Sequence, residues 1–304
     1  YSAPMYLNPA LTGFNVCSRV SSNIRNQWPS VAGGYVSQIL AIDHFLINQS
    51  FGIGFMATND FGGAGRLRST SFSGLTAYEL TVTRELTFRF GLQGGVIQRS
   101  VNFNDLLFAD QIARGGSVPT LENPTRNVLM IDFSSGGIVF YKKYFGGLAI
   151  HHITQPNESL MEDEAGRPIK LSIHGGGKFK IGPKVDDEEK QQMYLTPTFN
   201  YRAQLQFDQF DVGCYYSKYI FNLGLWYRGI PGFKSYKEGY PNNDAVCFVF
   251  GISKDRVNVG YSYDYTISWL QGNTGGSHEL SLSYQFCKLK RKKKKAIKVI
   301  CPKF

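Results

Sequence analysis

Along residues 256 to 286 the side chains change character at every second position. Val257, Val259, Tyr261, Tyr263, Tyr265, Ile267 and Trp269 form one row, and Arg256, Asn258, Gly260, Ser262, Asp264, Thr266 and Ser268 the other. After Leu270 to Gly276 the alternation resumes, with His278, Leu280, Leu282, Tyr284 and Phe286 opposed to Glu279, Ser281, Ser283 and Gln285. A period of two sustained over this length predicts strands. Segments of about ten residues, apolar on one side and polar on the other with aromatics at the ends, are what a transmembrane barrel strand requires. A soluble sheet alternates in the same way, so one hairpin leaves both readings open.

The same signal predicts fourteen strands along the chain. The first seven run Cys17 to Gln27, Ser30 to His44, Gln49 to Asn59, Phe72 to Arg84, Glu85 to Val101, Val128 to Tyr141 and Lys142 to Thr154. The others run Ile169 to Lys180, Leu195 to Phe207, Asp211 to Tyr219, Asn222 to Gly229, Asp244 to Lys254, Asp255 to Trp269 and Ser277 to Cys287. Counted from a periplasmic start, tight connections at Arg84-Glu85, Lys142-Lys143, Tyr219 to Asn222 and Lys254-Asp255 alternate with longer ones. The longer ones, Asn59 to Phe72, Asn102 to Asn127, Gln155 to Pro168, Ile230 to Asn243 and Leu270 to Gly276, are mostly rich in Gly, Pro and Asn. Short inner turns with long outer loops mark outer-membrane barrels, and a soluble sandwich gives no reason for them. Two connections run against the pattern: the long inner Ile181 to Tyr194, with Asp186, Asp187, Glu188 and Glu189, and the short outer Asn26 to Ser30. The expected fold is all-β, a transmembrane antiparallel β-barrel of 14 strands over residues 17–287. An ordered lead-in or plug segment at 1–16 precedes it and a basic periplasmic tail at 288–304 follows.

Composition agrees with a barrel whose wall is oily and whose interior is wet. The 304 residues include 18 Tyr, 23 Phe and 33 Gly with 18% charged residues, and no composition break divides them. No stretch approaches the roughly 18 apolar residues of a spanning helix, so a membrane crossing must use strands. The chain opens at Tyr1 without Met or a basic-led apolar segment, which predicts an outer-membrane protein of a Gram-negative bacterium with its secretory signal already removed. The formal charge of +10 sits at one end. Lys288, Lys290, Arg291, Lys292, Lys293, Lys294, Lys295, Lys298 and Lys303 follow the last strand without an acid among them, leaving about +1 for the rest. Such a run reads as a solvated arm or as a contact for an acidic partner or an anionic lipid surface. Nucleic acid is not expected, because no groove of interleaved basic and aromatic residues accompanies it. The five cysteines, Cys17, Cys214, Cys247, Cys287 and Cys301, are scattered and odd in number, which argues against a metal cage and a full disulfide framework. Cys287 and Cys301 bracket the basic run and are the pair open to oxidation in a periplasm.

Phase continuity turns Arg19, Asn23, Arg25 and Gln27 inward on the first strand and Val20 and Ile24 outward. Closing an antiparallel barrel sets the first strand beside the last. Arg25, Glu279 and the neighbouring strand's Asp264 are therefore expected to form a structural charge cluster in the lumen. Charges in a narrow lumen occupy space, which together with the lead-in predicts a plugged barrel and not an open porin. No catalytic residue, metal ligand or cofactor is expected. His278 takes the lipid-facing phase beside Ser277, but no signature brings nucleophile, base and orienting group together. His151 and His152 fall on opposite faces of a strand and cannot share one ion.

Six blocks carry a family resemblance: Tyr6-Leu7-Asn8-Pro9-Ala10 with Gly13; Arg25-Asn26-Gln27-Trp28-Pro29; His152-Ile153-Thr154-Gln155-Pro156; Trp226-Tyr227-Arg228-Gly229; Gly260-Tyr261-Ser262-Tyr263-Asp264; and Gly276-Ser277-His278-Glu279-Leu280-Ser281-Leu282. In this order, from residue 6 to residue 282, they resemble the PorP/SprF family of type IX secretion system membrane proteins. The resemblance implies a non-enzymatic outer-membrane barrel of the secretion and gliding apparatus. It implies partners of two kinds: large secreted adhesins with C-terminal type IX signal domains, and periplasmic lipoprotein components of the machinery. The tail beyond Cys287 departs from the family's usual barrel end, and Phe286 is better placed than Phe304 as an insertion signal. The alternative is an outer-membrane channel for small or hydrophobic solutes.

Overall fold

The computed structural model describes residues 2–63, 67–103, 106–116, 118–121, 127–161, 163–182, 192–230, 235–237, 240–269 and 272–286. A short helix α1 (Pro4–Leu7) and a 3-10 turn (Pro9–Leu11) lead into β1 (Ser18–Gln27), β2 (Tyr35–Leu46), β3 (Phe51–Gly62), β4 (Leu67–Thr81) and β5 (Leu86–Ser100). The helix α2 (Ala109–Ala113) lies in the connection to β6 (Asn127–Tyr141), which is followed by β7 (Tyr144–His151), β8 (Lys170–Gly177) and β9 (Phe179–Ile181). Then come β10 (Met193–Gln204), β11 (Phe207–Lys218), β12 (Phe221–Gly229), β13 (Ser235–Lys237) and β14 (Tyr240–Pro241). The chain of strands finishes with β15 (Asn243–Lys254), β16 (Val257–Thr266) and β17 (Ser277–Phe286).

Fourteen of these strands close into one antiparallel ring, each beside its neighbours in sequence. The seam joins β1 to β17 in continuous register from Ser18 opposite Phe286 to Gln27 opposite Ser277. Strand β9 lies outside that count: it prolongs β8 past Lys178 and pairs with the inner end of β10. Strands β13 and β14 form a separate small hairpin within the β12 to β15 connection.

Side chains sort as the alternation requires. In β16 and β17 every second residue is buried, with Asn258, Ser262, Asp264, Glu279, Ser281 and Ser283 inside and Val259, Tyr261, Leu280 and Leu282 outside. The sorting is that of a soluble protein turned inside out: Arg89 and Asp211 are fully buried, while Leu92 is 64% and Ile131 62% exposed. Lipid is the solvent that makes such a wall stable. Among the described residues no helix is long and apolar enough to cross a membrane.

Several boundaries differ from expectation, each for a local reason. The second strand begins at Tyr35 and not at Ser30, because Trp28 takes a left-handed φ of 59° and the amides of Val31 and Gly34 bond back to Trp28 and Val31. The seventh ends at His151 instead of Thr154, since His152 is left-handed at φ 61° and breaks the alternation. The expected long loop from Asn59 to Phe72 is mostly ladder, continuing to Gly62 opposite Leu67. Its polar residues still pair, Thr58 with Ser71 and Asn59 with both Arg68 and Thr70. A two-residue turn joins β10 to β11 at the outer end, so the loop asymmetry rests on the connections after β5, β7, β12 and β16.

Candidate functional site

The lumen holds the lead-in. A pair of opposed glycines, Gly91 on β5 and Gly136 on β6, makes the seat. A Cβ on Gly91 would stand 2.2 Å from the Ala10 nitrogen, and one on Gly136 2.1 Å from Asn8 Oδ1, so only glycine admits the backbone there. Asn8 is fully buried and works in both directions. Its Nδ2 donates to the carbonyls of Gly137 and Leu148 at 3.1 and 3.2 Å, and its Oδ1 accepts from the Ala10 amide at 2.9 Å, starting the turn. Met5 packs with Ala41, Met56 and Leu75, while Ala10 and Leu11 pack with Ile138 and Phe140. Asn8→Ala is expected to remove the hydrogen bonds that tie the lead-in to two wall carbonyls and start its turn, and to cost about 1–3 kcal/mol, read as a lowered urea midpoint of unfolding in liposomes.

Arg89 clamps the far end of the segment. Its Nε donates to the Ala10 carbonyl at 2.9 Å, Nη2 to the Thr12 carbonyl at 2.5 Å and Nη1 to Glu79 at 2.6 Å. The rings of Phe14 and Phe45 lie 5.8 and 5.5 Å from the guanidinium carbon. Asp43 accepts the Gly13 amide at 2.8 Å and is itself paired with Arg19 at 2.9 Å. Gly13, at φ +64°, makes the bend that follows.

On the other wall an alternating ladder of charge crosses seven strands, β10 to β12 and β15 to β17 with β1, and β15 adds Asp244 at 3.6 Å from Arg228. Arg25 on β1 reaches Glu279 on β17 at 3.3 Å and Asp264 on β16 at 2.7 Å. Asp264 also meets Arg228 of β12 at 3.1 Å, Arg228 meets Asp211 of β11 at 3.1 Å, and Asp211 meets Arg202 of β10 at 3.0 Å. Asn23 adds a 2.7 Å hydrogen bond to Glu279. Arg25, Asp264 and Glu279 thus converge. Sequence reasoning missed Arg228, Asp211 and Arg202 as members, and Arg89, Glu79, Asp43 and Arg19 as the clamp.

The remaining residues singled out from sequence are placed as follows. The Trp28 amide donates to the Gly276 carbonyl, tying the first outer connection to the last. His152 Nδ1 lies 2.9 Å from Asp132, Gln155 is left-handed at φ 43°, and the Pro156 carbonyl accepts the Arg167 amide. Trp226 packs edge-on to Tyr215 at 5.5 Å. His278 faces lipid, where its Nδ1 meets the Tyr261 hydroxyl at 2.7 Å and its ring lies 5.0 Å from Tyr263. Ser277 points the opposite way and is buried, so the two form no dyad. Cys17 is disulfide-bonded, and Cys214 and Cys247 are free thiols. The basic run from Lys288 to Lys303, Cys287, Cys301 and the acidic residues 186–189 lie outside the described residues.

Between the lead-in and the ladder wall lies a cavity of about 500 Å³. Above the membrane, the loop after β7 is pinned by Glu158 to Arg99 at 2.6 Å and to Arg167 at 3.9 Å. In the loop after β5, Asp110 accepts from Arg114, Thr120 and the Leu121 amide, while Leu107, Ile112 and Leu121 stay exposed.

Among the solved structures that match, two cover nearly the whole chain with a TM-score above 0.5. The Ralstonia pickettii toluene transporter TbuX aligns with a TM-score of 0.53 at 11% identity, covering 94% of this chain and 93% of its own. The CymD monoaromatic hydrocarbon channel aligns with 0.52 at 13%, again covering 94% and 93%. At these identities the likeness is one of fold. No curated protein matches. The family model described as type IX secretion system membrane protein PorP/SprF matches residues 1–284.

Proposed function

The chain belongs to the PorP/SprF family of type IX secretion system membrane proteins, and from that premise we propose a non-enzymatic, outer-membrane component that handles adhesins. In this reading the barrel anchors, and its outer loops engage the C-terminal signal domain of a large secreted adhesin, helping its export or holding it at the surface. Periplasmic lipoprotein components of the machinery meet the inner turns and the basic tail. The observation that carries the proposal is the family match over 284 of the 304 residues. A lumen partly occupied by a docked lead-in supports it, because an obstructed barrel works through its surfaces. Loops on a rigid scaffold are where binding resides, and the apolar side chains exposed around α2 make that loop the first choice.

Detergent-extracted barrel is expected to retain a reporter fused to an adhesin signal domain. Replacing residues 106–121 by a short Gly-Ser linker should weaken that retention at least tenfold in a pulldown, and removing 288–304 should release lipoprotein partners only. Retention unchanged by both changes would sink the proposal. The second reading, a channel for small or hydrophobic solutes, draws on the luminal cavity and requires steady current through the wild-type protein in planar bilayers.

A further inference from the structure

The lead-in fills only one side of the lumen. It rests on the β2 to β7 wall, and the cavity it leaves is bounded opposite by β8, β10, β11 and β12. Register divides that opposite wall into levels. His174, Asn200, Asp211 and Arg228 stand at one level, since Asn200 pairs with His174 on one side and Asp211 on the other, and Asp211 with Arg228. The next inward-facing level toward the periplasm, about 7 Å away, is Gly176, Thr198, Gly213 and Trp226. The Trp226 ring lies flat across Gly213, where a Cβ would be 2.3 Å from it, and Tyr215 closes the floor. Leu11 and Phe14 of the lead-in complete this apolar end. Along the β8 to β12 wall the lining therefore grades from charged at its outer end to aromatic at its inner end, while Arg19, Ser283 and Gln285 line the cavity from the seam side.

This wall is incompletely paired at both levels. Both ring nitrogens of His174, Thr198 Oγ1, Asn200 Oδ1 and Arg202 Nε are buried without a hydrogen-bond partner. His174 and Thr198 are themselves more than nine-tenths buried, and both line the cavity. Buried polar groups are normally satisfied, and each one left over costs about 1–3 kcal/mol. A volume within the range of small-ligand sites, an apolar floor and convergent unpaired polar groups are the marks of a binding site.

We propose that this cavity binds a small anionic amphiphile, its head held by Arg202 and the polar groups around it and its apolar body laid along Trp226 and Tyr215. The site does not depend on the secretory reading and needs no path through the barrel. Arg202 suits the role because it is dispensable to the ladder: Asp211 keeps Arg228 at 3.1 Å and Gln209 at 2.9 Å without it.

The chain has three tryptophans, so a Trp28→Phe, Trp269→Phe background leaves Trp226 as the sole indole reporter. Titrating that protein, folded in nanodiscs, with 11-bromoundecanoate is expected to quench its fluorescence saturably. Arg202→Gln should raise the half-saturation concentration at least tenfold, as should the same probe with an alcohol in place of its carboxylate. Thr198→Phe, which fills the apolar end, should abolish saturable quenching, and Arg202→Lys should fall between wild type and Arg202→Gln. Quenching that rises linearly with probe would overturn the proposal. So would saturation left unmoved by Arg202→Gln and Thr198→Phe in protein that keeps the heat-modifiable gel mobility of a folded barrel.

Discussion

Replacing Arg89 by alanine is expected to free the lead-in and let ions through the lumen that it obstructs. This one side chain holds two backbone carbonyls of the segment and the Glu79 carboxylate, and it is fully buried. Removing it takes the guanidinium away from the Glu79 carboxylate, which is itself 8% exposed. Breaking a buried pair on one side costs about 3–5 kcal/mol, and the two carbonyls lose charge-assisted bonds besides. The expected result is a clear fall in the urea midpoint together with steady current in planar bilayers where wild type is silent. Arg89→Lys should be intermediate, because one ammonium cannot spread over three acceptors as the planar fork does. A variant with an unchanged midpoint and no current would mean that the glycine seat and the apolar contacts of Met5, Ala10 and Leu11 suffice to hold the segment.

Asp264→Ala should be the costliest change on the opposite wall. Its carboxylate stands between two guanidiniums, 2.7 Å from Arg25 and 3.1 Å from Arg228, and is 2% exposed. Each arginine keeps a second partner, Arg25 the Glu279 carboxylate at 3.3 Å and Arg228 the Asp211 carboxylate at 3.1 Å. The loss is then about 3–5 kcal/mol for one broken buried site, and Glu279→Gln should cost less because Arg25 retains its shorter contact. In a double-mutant cycle, Arg25→Met with Asp264→Ala should be less destabilised than the sum of the singles by about 1 kcal/mol or more. Strict additivity would show that the ladder is a row of independent contacts.

The wall was legible in the sequence because lipid outside and polar groups inside impose a period of two on every strand. The seam contact was legible because closure dictates which strands meet. The clamp was not. Reading the β4 to β5 turn at Arg84-Glu85 sets Glu79 opposite Phe90, whereas the ladder sets it opposite Arg89. A turn centre displaced by half a residue hides the pair. The seat at Gly91 and Gly136 was also hidden, since a glycine in a strand does not say what approaches it. Nor does the triple glycine at 175–177 announce that Lys178 will interrupt the strand. The same limit applies to Asp211 and Arg202: each reads as an inward charge, and only the register between strands names its partner.

The contact of Arg25 with Glu279 also bears on how the cylinder zips shut. A slip of one residue between β1 and β17 would reverse every side chain and be rejected by the lipid, but a slip of two would preserve the oily and wet rows. In that frame Arg25 would face Ser277 or Ser281 in place of Glu279, and a cation would be shut in beside a hydroxyl. The pair thus serves as a key for the final closure, separating the true alignment from the two-residue slips that hydrophobicity alone would accept.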